Sequence, residues 1–253
     1  MNDDPLHEDI MAIVDIERLS YRYGKTQALR DLTLQVNEGS IYGLLGRNGS
    51  GKTTLLQILA GLRHPASGVA RVLGKDVRHF SAKDRIEVGY IAEGQQLPGW
   101  MRLGELEAYL APLYPTWDAA LANTLRARFG LNATQRVKTL SRGEQMKATL
   151  LCALAPRPKL LIMDEPFTGI DVLTKDDLVR GLLESSGREG WTVLICSHDI
   201  GELDLLIDAV GIIDRGQLLL SDTMDAVRER FAAKSLREVF VELTRGAGHG
   251  AAA

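Results

Sequence analysis

The chain has 253 residues, of which 45% are hydrophobic and 25% charged, a composition typical of a globular protein with one large or two small domains. Its 30 basic and 33 acidic residues give a formal net charge of −3, so the chain as a whole does not attract a polyanion and no nucleic-acid partner is expected. The one basic-leaning stretch, Arg63–Arg85, has scattered charges and is predicted to be solvated surface.

The cysteines and the apolar runs indicate where in the cell the protein is expected. Cys152 and Cys196 lie in apolar segments without metal-ligand spacing, so both are predicted to be buried small hydrophobes. The N-terminal residues are acidic and lack an apolar core, so no signal peptide is predicted. No apolar run reaches the roughly 18 residues that span a bilayer. We therefore expect a soluble, cytoplasmic protein.

Short apolar runs alternate with longer helical patterns along most of the chain. The predicted strands are Ala12–Glu17, Leu32–Val36, Ile41–Leu45, Val69–Leu73, Val88–Ile91, Leu160–Asp164, Thr192–Ser197, Val210–Ile213 and Gln217–Leu220. The predicted helices are Lys52–Ala60, Leu103–Leu113, Asp118–Phe129, Ser141–Ala155 and Thr174–Ser186. Strands separated by helices predict an α/β fold with a parallel sheet.

Two segments depart from this alternation. Ala12–Val36 is mostly strand and predicts a small antiparallel β region, whereas Gln95–Leu140 contains two helices and no strand and predicts an inserted helical subdomain. The Gly/Ala-rich tail Gly246–Ala253 is predicted to be disordered. We expect a single domain, with an α/β core made of 12–94 and 151–220, a helical subdomain at 95–150, and C-terminal helices at 221–245.

A glycine-rich segment links the predicted strand Ile41–Leu45 to a helix. It fits G-x-x-x-x-G-K-[ST], with the residues Gly46, Arg47, Asn48, Gly49, Ser50, Gly51, Lys52 and Thr53. Glycines let the backbone wrap a polyphosphate with N–H groups pointing inward, and the helix N-terminus adds its dipole. Lys52 adds a charge near the β- and γ-phosphates, and Thr53 offers a hydroxyl to Mg²⁺. A chance turn of this spacing is rare, so the segment predicts a P-loop.

The apolar run Leu160–Asp164 ends in two carboxylates, Asp164 and Glu165. A buried parallel strand delivers its last residues to the ligand edge of an α/β sheet. At that edge Asp164 can hold Mg²⁺ and Glu165 can polarise the water that attacks the γ-phosphate. The alternative interpretation is a strand that ends in a solvated acidic turn.

Two further segments allow both a structural and a functional interpretation. Ser141 and Glu144 have the spacing of a helix capping box, and Ser141 with the amides near Gly143 also has the character of a second anion site. His198 follows the predicted strand Thr192–Ser197, and a lone histidine at a strand end is usually without special function.

Together these segments resemble the ATP-binding cassette (ABC) transporter ATPases, in the family's order and over nearly the whole chain. The resemblance implies a P-loop NTPase fold of the RecA-like type, with an N-terminal antiparallel β subdomain and an inserted helical subdomain. It also implies ATP and Mg²⁺ as cofactors and catalytic roles for Lys52, Glu165 and His198. Thr53 and Asp164 match the family's metal site. The implied nucleotide-binding residues beyond the P-loop motif are Tyr23, Thr54, Ser141, Gly143 and Asp171.

Two motifs depart from the family pattern. The segment Leu140–Glu144 resembles the family signature Leu-Ser-Gly-Gly-Gln, with Arg142 and Glu144 in place of Gly and Gln. Glu93 stands where the family usually has the glutamine of the Q-loop. A carboxylate there can still reach Mg²⁺ or its waters, so Glu93 joins the predicted metal site with a charge that glutamine lacks.

The resemblance also implies partners. In the family two cassettes pair head to tail, with ATP between the P-loop of one and the signature of the other, so a homodimer with two active sites is expected. A separate transmembrane permease subunit would hold the protein at the inner face of the cell membrane. Leu110–Asp118 and Leu236–Leu243 look most like exporter ATPases. The alternatives are a soluble ABC ATPase that acts on nucleic acid or ribosomes, and a nucleotide-gated regulatory module.

Overall fold

The computed structural model describes residues 12–171, 174–180, 191–204, 206–232 and 234–246. Its strands are β1 (Ala12–Tyr23), β2 (Thr26–Asn37), β3 (Ile41–Gly46), β4 (Ser67–Val72), β5 (Lys75–Asp76), β6 (Val88–Ile91), β7 (Leu160–Asp164), β8 (Thr192–Ser197), β9 (Ala209–Asp214) and β10 (Gln217–Thr223). Its helices are α1 (Lys52–Leu59), α2 (Ala82–Ile86), α3 (Leu103–Leu110), α4 (Ala119–Arg128), α5 (Arg142–Leu154), α6 (174–180), α7 (Ile200–Leu203), α8 (Met224–Arg230) and α9 (Leu236–Gly246).

The strands form two sheets. The larger sheet has six strands in the order β10-β9-β3-β8-β7-β6, and its pairs are parallel except for the antiparallel pair β9–β10. The smaller sheet has four antiparallel strands in the order β2-β1-β4-β5. The α/β class and the N-terminal antiparallel region predicted from the sequence are therefore confirmed.

Both faces of the larger sheet are covered, because successive side chains of its central strands point in opposite directions. Leu44 packs with α1 and the smaller sheet on one face. Leu45 belongs to the apolar cluster on the other face, which also contains side chains of α5, α8 and α9. Every residue of β3 and β8 is buried as a result. This explains why both strands are almost continuous apolar runs in the sequence.

The turn between β9 and β10 joins the P-loop to the smaller sheet. The Gly216 N–H donates to the Ser50 carbonyl at 2.9 Å, and the Gly216 carbonyl accepts from the Arg30 N–H at 2.8 Å. Gly216 has a φ of +80°, and a Cβ there would lie 2.5 Å from the carbonyl oxygen of Ala28. Only glycine fits this junction without a shift of the backbone.

Each predicted strand is present, although several element ends differ. The predicted helix Leu103–Leu113 divides into α3 and a 3₁₀ turn at Ala111–Leu113. Pro112 explains the break, because proline lacks the N–H that continues an α-helix. The short elements β5 and α2 were not predicted. The predicted helix Thr174–Ser186 is helical over 174–180, and its remainder lies outside the described residues.

The remaining differences lie at the boundaries and termini. α5 runs past the predicted boundary at 150, and β10 runs past the one at 220. Of the predicted disordered tail, Gly246 ends α9 and the rest lies outside the described residues. Cys196 is buried, and Cys152 packs against the core while partly exposed. None of the helices in the described ranges is long and apolar enough to cross a bilayer.

Candidate functional site

The predicted P-loop lies between the end of β3 and the start of α1. Two of its glycines are in the left-handed region, Gly49 with a φ of +79° and Gly51 with a φ of +108°. A Cβ at Gly51 would also lie 2.5 Å from the Ala28 carbonyl oxygen, so only glycine allows this turn. The Ser50 N–H donates to the Arg47 carbonyl at 3.1 Å and closes the loop. The loop therefore has the tight backbone course that a phosphate cradle needs.

The Lys52 ammonium is buried and bound within the protein. It donates to the Gly46 carbonyl oxygen at 2.7 Å and lies 3.3 Å from the Glu165 carboxylate. The side chains of Lys52 and Glu165 are each only 6% exposed, so this is a buried ion pair. The charge of Lys52 is therefore balanced within the chain by Glu165.

Glu165 lies at the centre of the site. Its Oε1 pairs with Lys52, and its Oε2 accepts hydrogen bonds from His198, at 2.7 Å from the ring Nδ1 and 3.3 Å from the backbone N–H. The Glu165 backbone has a φ of +49°, a strained value for a residue with a side chain. Its N–H donates to the Cys196 carbonyl at 3.0 Å, which ties this conformation to β8. The tie directs the carboxylate toward the P-loop.

Asp164 is buried beside this network with unsatisfied oxygens. Neither carboxylate oxygen has a hydrogen-bond partner among the described residues, and the nearby Thr53 hydroxyl does not reach bonding geometry. Burial raises the pKa of Asp164; the Thr53 hydroxyl opposes the rise, and the carboxylates of Glu93 and Glu165 add to it. Buried polar atoms without partners are rare in proteins. Hard oxygen donors left in this state fit a divalent cation such as Mg²⁺.

The side chains of Lys52, Glu165 and His198 line one cavity because their strands are neighbours, whereas Asp164 and Gly46 are not among its lining residues. β3, β8 and β7 are adjacent in the sheet, and Lys52, His198 and Glu165 follow their respective carboxyl ends. The cavity measures about 480 Å³. Its lining residues are Tyr23, Thr26, Gln27, Ala28, Arg47, Asn48, Gly49, Ser50, Gly51, Lys52, Thr53, Thr54, Glu93, Glu165 and His198. It therefore brings together most of the predicted site residues at the ligand edge of the parallel sheet.

The predicted signature residues do not line this cavity. Ser141 caps α5, where it accepts from the Glu144 N–H at 3.2 Å while the Glu144 carboxylate accepts from the Ser141 N–H at 2.7 Å. Gly143 is buried against Thr174, whose methyl carbon would lie 2.6 Å from an added Cβ. Asp171 is exposed and caps α6 through the Thr174 N–H at 3.0 Å. Within one chain, these three residues are thus separate from the P-loop.

A second cavity of about 430 Å³ lies between the segment that follows β6 and the start of α5. Glu93 and Glu165 line it as well as the P-loop cavity. Arg142 lines it too, and its guanidinium lies against Gly169, where an added Cβ would be 2.2 Å from its Nη1. Gly169 has a φ of +71°, a backbone conformation that favours glycine. The unusual signature arginine is therefore packed on the segment that leads to Asp171.

Sequence reasoning missed two features of the site. The Lys52–Glu165 ion pair had no signal, because the partners are far apart in sequence. Within the stretch predicted to be solvated surface, the partly exposed side chain of Arg63 lies against Tyr21 and Tyr23, a contact that was not predicted. The pattern of charges around Arg63 could not reveal that contact, because β1 and the end of α1 meet only in the folded chain.

The class of protein that this fold and cavity define is that of the P-loop ATPases. Residues 29–168 match the ABC transporter family. The chain belongs to that family, as an ATP-binding and ATP-hydrolysing subunit.

Relatives of known sequence agree with this assignment. The ABC transporter ATP-binding protein YtrB of Bacillus subtilis is 28% identical over 220 residues, covering 87% of this chain and 75% of its own length. The sulfate/thiosulfate import ATP-binding protein CysA of Salmonella typhi is 30% identical over 244 residues, covering 93% of this chain and 67% of its own length.

Solved structures agree as well. The structure of an ATP binding subunit of an ABC transporter superimposes with a TM-score of 0.83 at 28% identity and covers 92% of this chain and 99% of that chain. The structure of cbiO1 from Clostridium perfringens, part of the ABC transporter complex cbiONQ, superimposes with a TM-score of 0.76 at 25% identity. The match covers 92% of this chain and 96% of the cbiO1 chain.

Proposed function

We propose that the chain hydrolyses Mg-ATP at the P-loop cavity and that this hydrolysis drives transport through a separate membrane permease. The observation that carries the proposal is the convergence of Lys52, Glu165 and His198, next to the unsatisfied Asp164, at the ends of three adjacent strands. In this assignment the P-loop amides and Lys52 hold the triphosphate. Tyr23, which lines the same cavity, receives the adenine.

The chemistry of hydrolysis follows from the charges around Glu165. When the triphosphate takes over Lys52, Glu165 is released from its ion pair and can accept a proton from the attacking water. His198, bonded to Glu165, then holds that carboxylate in place and senses the γ-phosphate. Thr53, Asp164 and Glu93 would hold Mg²⁺, which supplies charge neutralisation at the phosphates when bound.

We also propose that two copies pair head to tail. Ser141, Gly143 and Asp171 lie outside the P-loop cavity of their own chain, and Ser141 and Asp171 are exposed, which supports a role toward the nucleotide of a partner. The exposed Ser141 lies at the N-terminus of α5, where helix amides favour an anion. A triphosphate between two such anion sites strengthens the closed dimer, and loss of the γ-phosphate weakens it.

The proposed permease contact lies on the helical subdomain, which we place at residues 95–150, near Glu93–Arg102. Trp100 in this segment is 72% exposed, which supports a docking surface there. The cbiONQ complex provides an example of a related subunit in a transporter complex. In this arrangement the protein is peripheral on the cytoplasmic face of the membrane.

The direction of transport has two candidates. Export is proposed on the resemblance of Leu110–Asp118 and Leu236–Leu243 to exporter ATPases. Import is favoured by one specific observation, the 30% identity to the sulfate/thiosulfate import protein CysA. Transport assays in vesicles of either orientation, with the co-purified permease, distinguish the two. Retention of full ATPase activity without any associated permease would favour a soluble ATPase or a regulatory module.

The test of the site assignment compares ATP hydrolysis and gel-filtration size for wild type, Glu165→Gln and Lys52→Ala. We expect both variants to lose hydrolysis. Glu165→Gln should bind ATP and form a dimer, whereas Lys52→Ala should bind poorly and stay monomeric. Glu87→Gln is the matched control, because Glu87 pairs with Lys159 at the same 3.3 Å but in solvent. Wild-type hydrolysis by Glu165→Gln would exclude Glu165 as the catalytic base.

A further inference from the structure

One arginine lies over the aromatic ring proposed to receive the base. The Arg63 guanidinium carbon is 5.0 Å from the centroid of the Tyr23 ring and 5.9 Å from that of Tyr21. Arg63 Nη1 donates to the Tyr21 hydroxyl at 3.2 Å, and its Nε donates to the side-chain oxygen of Gln57. Two hydrogen bonds thus fix the guanidinium against the ring pair. Among the described residues it is the one arginine found over these rings.

Other contacts restrain Tyr23 as well. Its ring meets Tyr21 edge to face, with centroids 5.0 Å apart and planes at 71°. Its hydroxyl lies 3.3 Å from the hydroxyl of Thr54 on α1. Even so, Tyr23 is 43% exposed and lines the P-loop cavity. The ring is therefore held in advance of binding, with surface left for a ligand.

We infer that Arg63 is a positioning residue for the nucleotide base: it holds one face of Tyr23 so that the base stacks on the other. The inference rests on the proposed function, in which Tyr23 receives the base. A cation over one ring face restricts the ring at little cost, and a platform ordered beforehand loses less entropy when a base stacks on it. Arg63 should therefore affect only the part of the affinity that comes from the base, because the triphosphate binds at the P-loop.

The experiment measures the affinities of ATP and of inorganic tripolyphosphate, which lacks a base. The variants are Arg63→Met, Tyr23→Leu and their double variant, with Arg63→Lys as the conservative change. Arg22→Met is the control. Arg22 lies between the two tyrosines in sequence, and its substitution removes the same charge as Arg63→Met. Isothermal titration gives both affinities for each protein.

The expected result separates base from phosphate. Arg63→Met weakens ATP binding about two- to five-fold, and Tyr23→Leu weakens it about ten-fold or more. Tripolyphosphate binding stays at the wild-type value in both. Arg63→Lys falls between wild type and Arg63→Met, and the double variant matches Tyr23→Leu because Arg63 acts through the ring. Arg22→Met leaves the ratio of the two affinities unchanged.

Three outcomes would overturn the inference, and they differ in what they leave standing. An equal loss of ATP and tripolyphosphate binding in Arg63→Met would place its effect on α1 through Gln57. If Arg63→Met binds ATP as wild type does while Tyr23→Leu binds it more weakly, Arg63 has no positioning role but the proposed base site at Tyr23 is retained. Unchanged ATP binding in Tyr23→Leu would reject the proposed base site itself, and the role of Arg63 with it.

Discussion

Because Lys52 and Glu165 form an ion pair, we expect the substitution Glu165→Gln to have two linked effects. It should destabilise the nucleotide-free protein and strengthen nucleotide binding. Glu165→Gln removes the charge that faces Lys52 in a site where both side chains are 6% exposed. Loss of one partner of a buried pair costs about 3–5 kcal/mol. Lys52 keeps its hydrogen bond to the Gly46 carbonyl, so we expect the lower end, about 3 kcal/mol.

The same energy reappears in the affinity for ATP. In the bound state proposed above, the triphosphate replaces Glu165 at Lys52, so the substitution removes little there. A destabilisation of about 3 kcal/mol confined to the free protein corresponds to ATP binding tighter by about a hundred-fold. The two measurements are linked by one thermodynamic cycle, and each predicts the other.

Thermal unfolding and titration test this directly. For a chain of this size about 3 kcal/mol lowers the Tm by roughly 6–12 °C, so Glu165→Gln should melt that much earlier without nucleotide. With a saturating non-hydrolysable ATP analogue the two Tm values should converge. Glu87→Gln, at an exposed pair of the same 3.3 Å length, should shift the Tm by less than about 4 °C. A gap that persists under saturating analogue would refute the reasoning, as would an unchanged Tm without nucleotide.

Three further predictions concern other parts of the chain. Gly49→Ala and Gly74→Ala should each cost about 1–2 kcal/mol of stability, since both residues have φ near +75° to +80° and open space around an added Cβ. Only Gly49→Ala should also weaken ATP binding. An equal loss of ATP binding in Gly74→Ala would contradict a specific role of the P-loop. Glu93→Gln should raise the Mg²⁺ concentration for half-maximal ATPase activity about ten-fold, and an unchanged Mg²⁺ dependence would remove Glu93 from the metal site. The Leu121 N–H and then Arg157 hold the pKa of Asp118 below its ordinary 3.8, so its charge stabilises the fold above that pH and the benefit disappears as pH falls through the lowered pKa. The Tm gap between wild type and Asp118→Asn should therefore close in acid, and a gap of constant size would show that the charge is not its cause.

The sequence was sufficient for features that depend on neighbouring residues. Apolar runs predicted the parallel strands of the larger sheet, because strands buried on both faces are almost continuously apolar. The P-loop and the acidic end of β7 were also found, because their chemistry is contiguous in sequence. Ser141 and Glu144 form the capping box that their spacing predicted.

Features that depend on contacts between distant segments could not be found in this way. The position of Arg63 against Tyr23 requires the packing of α1 on the smaller sheet, and no local pattern encodes it. The left-handed backbone of Glu165 likewise depends on the neighbouring strand β8. β5 was missed because two residues are too few to show alternation.

The junction at Gly216 makes the backbone of the P-loop depend on the turn between β9 and β10. The carbonyl of Ser50 and the N–H of Arg30 are bridged by a turn that lies far along the sequence from both, and Ala28 crowds both Gly51 and Gly216. A fragment that contains the P-loop motif but lacks β9 and β10 therefore loses part of the scaffold that shapes the loop. During refolding, ATP binding should recover only when the β9–β10 hairpin has docked. An insertion at 215–216 should weaken binding of the phosphates at the P-loop.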